Sequence, residues 1–233
     1  MKKLIGESVG RIWLLLLALV AIYIFRIGNR VKVRGRKNLP KENGILYVSN
    51  HETIIDSLLI GISVSSLFDI FFRYDRVPYN APDYHNFYEH PFGEQVMFLT
   101  KCVPAHRNTK KMEVVEKDIA NFCDILKKKN SNLVLFFQGT RTRNGIIGDC
   151  KYGVAKTITT VRPKYVVPIY LHNIQVIMPI ESGFNFSKIY GGHKGELYIG
   201  KPIIFSDETN IDLVKKEVRD AVLKLKTFAE DKI

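Results

Sequence analysis

Residues 44–62 read Gly44-Ile45-Leu46-Tyr47-Val48-Ser49-Asn50-His51-Glu52-Thr53-Ile54-Ile55-Asp56-Ser57-Leu58-Leu59-Ile60-Gly61-Ile62. An apolar run of strand length, 44–48, predicts a buried strand that delivers Asn50 and His51 at its C-terminal end. The second apolar run predicts a helix over residues 53–63. A strand that passes through a polar loop into a helix is the building unit of α/β folds.

His51 and Asp56 in that loop are a candidate catalytic pair, because an imidazole takes a proton near neutral pH and a carboxylate can orient it. The plain structural reading competes: Thr53-x-x-Asp56 ahead of an apolar run also reads as a capping box, with both residues satisfying amides at the helix start. Helix geometry separates what is allowed from what is not. At about 100° per residue, positions five apart lie roughly 140° apart around a helix. His51 must therefore sit before the helix or in its first turn, with Asp56 reaching back.

The same alternation continues outward. Residues 31–35 alternate like a strand, and Asn38-Leu39-Pro40 closes it with a turn. The aromatic, Pro-rich residues 74–91 show no period and read as a tyrosine-rich loop packed on the core. Val96-Met97-Phe98-Leu99 reads as a further strand, followed by the basic group at Cys102-Val103-Pro104-Ala105-His106-Arg107-Asn108. Residues 110–129 carry Met112, Val115, Ile119, Phe122 and Leu126 at the three-and-four spacing of an amphipathic helix. Residues 132–137 are a buried strand that opens into Gln138-Gly139-Thr140-Arg141-Thr142-Arg143. There Gly139 lets backbone amides approach an anion, Thr140 offers a hydroxyl and Arg141 a planar fork suited to phosphate. A helix begins near Lys151, and residues 165–171 form a strand whose Pro168 predicts an edge position or a bulge. A strand at 196–200 and an amphipathic helix at 211–229, with Val214, Val218, Ala221, Leu225 and Phe228 inward, complete the chain. The fold class is therefore α/β, a mixed, largely parallel sheet flanked by helices. Ligands of such sheets bind beyond the carboxyl ends of the strands, so the loops at His51, Arg107 and residues 138–141 are expected to share one cleft.

With 233 residues, 46% of them hydrophobic, the chain suits one sizeable core. Lys and Arg number 35 against 23 Asp and Glu, and a formal charge of +12 points to an anionic partner. Three widely spaced cysteines without a CxxC argue against a disulfide framework and a zinc site, and fit a reducing compartment. No metal and no cofactor is expected, since His85 and His90 lack a third ligand. Residues 12–25 are an unbroken apolar run with Arg11 before it and Arg26 after. It is shorter than the about 20 residues a bilayer core requires, and suits an interfacial, re-entrant or buried segment. No small-x-small cleavage site follows it, while a basic stretch does, so a retained membrane anchor is favoured over a signal peptide, with the body at the cytoplasmic face. Residues 1–30 are assigned to this membrane-associated helical segment and 31–233 to the α/β domain.

Taken together, these stretches resemble the membrane-bound 1-acylglycerol-3-phosphate (lysophosphatidate) acyltransferases and their glycerolipid relatives. His51-x4-Asp56 after Asn50 resembles the family's first motif, and Val103-Pro104-Ala105-His106-Arg107 stands where the second ends in arginine. Phe136-Phe137-Gln138-Gly139-Thr140-Arg141 resembles the third, usually Phe-Pro-Glu-Gly-Thr-Arg, and Val167-Pro168-Ile169 resembles the fourth. The resemblance implies an O-acyltransferase in which His51, held by Asp56, is the general base on the acceptor hydroxyl. Arg107, Gln138, Gly139, Thr140 and Arg141 would hold the acceptor's phosphate. The acceptor would be a lysophospholipid, most simply 1-acylglycerol-3-phosphate giving phosphatidic acid, and the donor acyl-CoA or acyl carrier protein, at the bilayer. Phe137 and Gln138 depart from the third motif and leave another lysolipid open as acceptor. A non-catalytic lipid-binding membrane protein is the alternative of a different class. A nucleic-acid partner is suggested by charge alone and has no motif behind it.

Overall fold

The computed structural model describes residues 2–107, 109–142, 145–179, 189 and 191–231; Asn108 and Arg143, quoted above, lie outside the described residues. The run after Gly44 forms β2 (Ile45–Ser49), with every residue buried. It lies inside a sheet with β1 (Arg30–Arg34), β3 (Tyr79–Asn80), β4 (Leu133–Phe136), β5 (Tyr165–His172) and β6 (Lys194–Ile199), in the order β1-β6-β5-β2-β4-β3. All neighbours run parallel except β5 and β6. The mixed, largely parallel sheet expected from the alternation is present.

Both faces of the sheet are covered, which is why its inner strands are apolar throughout rather than alternating. Ile45 and Tyr47 of β2, Val134 of β4 and Val167, Ile169 and Leu171 of β5 share one core. That core is closed by Ala18 and Ala21 of α1 (Lys2–Ile22) and Leu59 and Ile60 of α2 (Asp56–Val64). The opposite face, with Leu46, Val48, Leu133, Leu135, Val166 and Tyr170, is covered by α6 (Met112–Cys123), α7 (Tyr152–Val161) and α8 (Ile211–Glu230). Short helices α3 (Leu67–Phe72), α4 (Tyr84–Phe87) and α5 (Gly93–Leu99) fill the passage between α2 and α6.

Several expectations are corrected. Residues 96–99 are not a strand but the end of α5; a four-residue apolar run carries no period by which strand and helix can be told apart. Arg107 is instead delivered by an extended segment that runs parallel to residues 80–83 through bridges at Asn80/Cys102 and Asp83/Ala105. Strand β5 is internal, between β2 and β6, so the edge position expected from Pro168 is corrected, while the bulge holds: pairing steps by one residue between Ile169/Ile199 and Val166/Ile203. Pro168 faces the end of β6, where its carbonyl accepts from Gly200 N–H at 2.8 Å and where no donor is required of it. A side chain at Gly200 would meet the Pro168 ring, with 2.7 Å from an added Cβ to Cγ. Helix α8 buries Val214, Val218, Val222 and Ala229 and leaves Phe228 half exposed, edge-on to Tyr198, so the inward stripe is rotated from the one expected.

Helix α1 is also longer than its apolar run. It begins at Lys2 and continues through a π-helical segment, Tyr23–Gly28, so the candidate span Gly6–Gly28 is 23 residues and contains an 18-residue stretch of mean hydropathy 2.2. At about 1.5 Å per residue that is roughly 35 Å, enough to cross a bilayer core by length. One face packs on α2, α3 and α5, and Gly10 on it faces Tyr74, whose hydroxyl an added Cβ would meet at 2.9 Å. The other face exposes Ile12, Leu16, Leu19 and Tyr23 at helical spacing.

Candidate active site

The parallel strands β2 and β4 end side by side, with Ser49 paired to Phe136, so the loops after them start from the same edge. Asn50 continues that edge with its side chain: its amide donates to Leu171 O at 2.9 Å and accepts from Leu171 N–H at 2.7 Å. His51 follows in the loop, buried, ahead of α2. Its Nδ1 lies 2.8 Å from Asp56 Oδ2, and its ring stacks on Phe136 with centroids 3.9 Å apart and planes 12° from parallel. Nδ1 on the carboxylate and one face on phenylalanine leave Nε2 as the working atom.

Asp56 is the first residue of α2 and fully buried. Oδ2 also accepts from Glu52 N–H at 2.6 Å and Thr53 N–H at 2.8 Å, and Oδ1 from Thr53 Oγ1 at 2.6 Å. The capping-box expectation is corrected in part. The helix starts at Asp56, its N-cap Ile55 has no side-chain bond, and the carboxylate satisfies amides of the loop before it instead. A reciprocal box is made at α3, by Ser66 and Asp69.

The loop after β4 is tied to the first. Thr142 donates through N–H at 2.8 Å and Oγ1 at 3.1 Å to the carbonyl of His51. Gly139 turns at φ 70°, a conformation in which other residues are strained, while its N–H donates to Phe136 O at 2.9 Å. Gln138, Gly139, Thr140 and Arg107 line one cavity of 440 Å³ with Lys110, Lys151 and, at its wall, Phe136. Arg141, His51 and Asp56 lie outside that lining, so the one cleft expected for the three loops is corrected to a cavity that reaches the His51 loop at Phe136, the ring stacked on the imidazole; Arg141 is exposed, close enough for its charge to act on Arg107. Burial lowers the Arg107 pKa, Asp83 opposes this, and Arg141 lowers it further. Among the described residues neither arginine has an ion-pair partner, so the arrangement invites an anion. A second cavity of 280 Å³, apolar, opens on the α1 face between Leu14, Ala18, Leu58, Ile62 and Met97.

Glu52 escaped the sequence reading. It is buried, and Oε2 accepts from Ile174 N–H at 2.7 Å and Gln175 N–H at 3.1 Å, lashing the His51 loop to the chain after β5. Desolvation, and then the nearby Asp56 charge, push its pKa from 4.5 up to about 8. The sign follows: folding favours the protonated form, so this contribution is full below pH 4.5 and is lost as pH rises through 8. Glu52→Gln keeps an acceptor for both amides without a titrating proton. Thermal melts across that window should show wild type losing ground to Glu52→Gln as pH rises; a pH-independent difference would contradict the assignment. Phe136 and Thr142 were likewise invisible as site residues, since stacking and carbonyl capture depend on where the second loop lands.

Gln138 is buried, with Nε2 donating to Ile146 O at 3.4 Å, while Oε1 has no partner among the described residues. A donor brought by a ligand would satisfy it.

Residues 30–172 match the family model described as Acyltransferase. The chain is 27% identical over 175 residues to the 1-acyl-sn-glycerol-3-phosphate acyltransferase LPAT1, chloroplastic, of Arabidopsis thaliana, covering 75% of this chain and 43% of that protein. It is 27% identical over 215 residues to the corresponding BAT2, chloroplastic, of Brassica napus, covering 92% of this chain and 54% of that one. The chain thus spans about half the length of the curated relatives it matches. Its fold is similar to that of PlsC, the 1-acyl-sn-glycerophosphate (LPA) acyltransferase of Thermotoga maritima, with a TM-score of 0.58 and 16% identity over 94% of this chain and 98% of that one. The match runs from β1 to the end of β5 and takes in both tied loops, and on it this chain belongs to the acyltransferase family.

Proposed function

We propose that this protein transfers a fatty acyl group from an acyl thioester to the free hydroxyl of a lysophospholipid, with 1-acylglycerol-3-phosphate the preferred acceptor and phosphatidic acid the product. The observation that carries this reading is the buried His51–Asp56 pair at 2.8 Å, roped by Thr142 to a loop that bears Arg141 and adjoins Arg107, neither of which has an ion-pair partner among the described residues. His51 Nε2 takes the acceptor hydroxyl's proton as its oxygen attacks the thioester carbonyl carbon. The C–S bond then breaks, and the leaving thiolate takes the proton back from the imidazolium. Asp56 keeps the other ring proton on Nδ1 throughout, and Arg107 and Arg141 hold the acceptor's phosphate while Gly139 and Thr140 line its approach. The relatives are named for this acceptor, which supports it here. The donor is acyl-CoA or acyl carrier protein, and no cofactor takes part in this scheme.

The test is free-thiol release from acyl-CoA by purified protein against a panel of lysolipids. Acceptor-dependent release, fastest with lysophosphatidate, is expected; binding without turnover of any acceptor would favour the lipid-binding alternative. Gln138 Oε1, a buried acceptor atom left unpaired among the described residues, favours including acceptors whose headgroup carries extra hydroxyls.

The lipid substrate would be met at a membrane. The exposed face of α1 continues into Phe68, Phe71 and Phe72 of α3, each between 49% and 63% exposed. Since the opposite face of α1 packs on α2, α3 and α5, the helix is read as lying along one leaflet, body at the cytoplasmic face. Burying a phenylalanine contributes about 1.5–3 kcal/mol. Flotation with phosphatidylglycerol vesicles should therefore weaken by about tenfold or more in Phe71→Glu/Phe72→Glu; unchanged flotation would remove α3 from the membrane contact.

A further inference from the structure

The cavity that holds Arg107 and residues 138–140 is also lined by a second histidine–carboxylate pair, which the scheme above does not use. Asp118, buried on α6, accepts from His106 N–H at 2.6 Å and lies 3.0 and 3.2 Å through its two oxygens from His106 Nδ1. Tyr84 stacks on the imidazole, centroids 4.5 Å apart and planes 21° from parallel. One edge and one face of the ring are thus immobilised, and Nε2 is its remaining polar atom. Among the described residues Nε2 has no hydrogen-bond partner, and the side chain, 24% exposed, lines the 440 Å³ cavity. A carboxylate buried beside Ile119 and Phe122 whose partner, among the described residues, is this one histidine is costly unless the orientation it enforces is used.

Resting on the acyltransferase reading, we propose that His106 is a headgroup-selecting residue: Asp118 holds it so that Nε2–H donates to an anionic acceptor headgroup gripped by Arg107. Carrying both ring protons, as an imidazolium, His106 is a two-sided donor, bonded to Asp118 on one side and to phosphate on the other. The cations lining the cavity, Arg107, Lys110 and Lys151, set the sign of the ligand. His106 adds a fixed direction, which flexible lysines do not provide.

The rival explanation is that the pair only clamps the Arg107 segment onto α6. Two substitutions separate them. His106→Asn keeps an N–H donor near the Nδ1 position, and so keeps the clamp, but has no atom at Nε2. His106→Gln reaches toward Nε2 and gives up the Nδ1 bond. Steady-state kinetics are read with lysophosphatidate and with the uncharged acceptor monoacylglycerol, at fixed acyl-CoA. His106→Asn should raise the lysophosphatidate KM about ten- to hundredfold, the loss of one hydrogen bond to a charged group. The melting temperature, kcat and the monoacylglycerol KM should change little, and His106→Gln should recover part of the KM. Independently of turnover, glycerol 3-phosphate should shift the His106 Nε2 resonance in ¹⁵N spectra of the wild type and leave its Nδ1–H in place. An unchanged KM ratio, an equal loss on both acceptors with a lowered melting temperature, or no Nε2 shift would overturn the proposal. Wild type that turns over no acceptor would instead sink the acyltransferase reading, and the proposal with it.

Discussion

His51→Ala should lower acceptor-dependent thiol release by about 10²- to 10⁴-fold, the contribution of a positioned general base. The side chain is buried, but its removal leaves the carboxylate of Asp56 still bonded to two amides and the Thr53 hydroxyl, so the loop keeps its shape. A correctly folded variant with retained lipid binding is therefore expected. Asp56 resolves the chemistry further. Asp56→Asn can place its amide oxygen where Oδ2 now accepts from His51, Glu52 and Thr53, and the Thr53 hydroxyl can turn from donor to acceptor toward the new NH₂. That variant should fold while losing the negative charge that stabilises the imidazolium, with a rate loss of about 10²-fold or more. Asp56→Ala leaves buried donors unmet at about 1–3 kcal/mol each, so it should lose stability as well as rate. The double variant His51→Ala/Asp56→Asn should be no slower than His51→Ala, because the two residues act as a unit. Equal activity in wild type and His51→Ala would end the assignment of the base.

Arg107→Ala and Arg141→Ala should each raise the lysophosphatidate KM about ten- to hundredfold, since a hydrogen bond to a charged group contributes about 1.5–3 kcal/mol. Arg107 should give the larger effect. It is partly buried and held cationic against desolvation and against Arg141, so it interacts with a phosphate through less water than Arg141 does. Arg107→Lys should rescue little, because an ammonium cannot reproduce the planar fork. The same variants assayed with monoacylglycerol provide the control. If they lose as much on that uncharged acceptor, the arginines hold the loops rather than the headgroup.

The fourth motif shows how propensity and context divide the work. Pro168 reads locally as an edge-strand or bulge residue; β5 is internal, and the missing N–H points past the last residue of β6, toward Gly200, where the pairing slips by one residue. The failure at residues 96–99 has the other cause, a run too short for its period to show. Residues 44–62 were legible because a strand, a loop and a helix there are all specified within a few residues of one another.

The sequence by itself determined the strand–loop–helix units, the α/β class and the reach from His51 to Asp56, since all three follow from backbone periodicity over short spans. Its motifs also placed Arg107 and residues 138–140 on one cavity, with Arg141 just outside it. Only the tertiary structure decided what surrounds them: Phe136 under the imidazole, Thr142 on its carbonyl, Glu52 on the chain after β5, and His106 on Asp118. Each of these contacts joins segments that are adjacent only because β2 lies between β5 and β4, or because α6 packs beside the extended segment after α5. Burial then supplies what no local pattern carries, the low-dielectric setting that makes a carboxylate at Asp118 or Glu52 costly unless it is held.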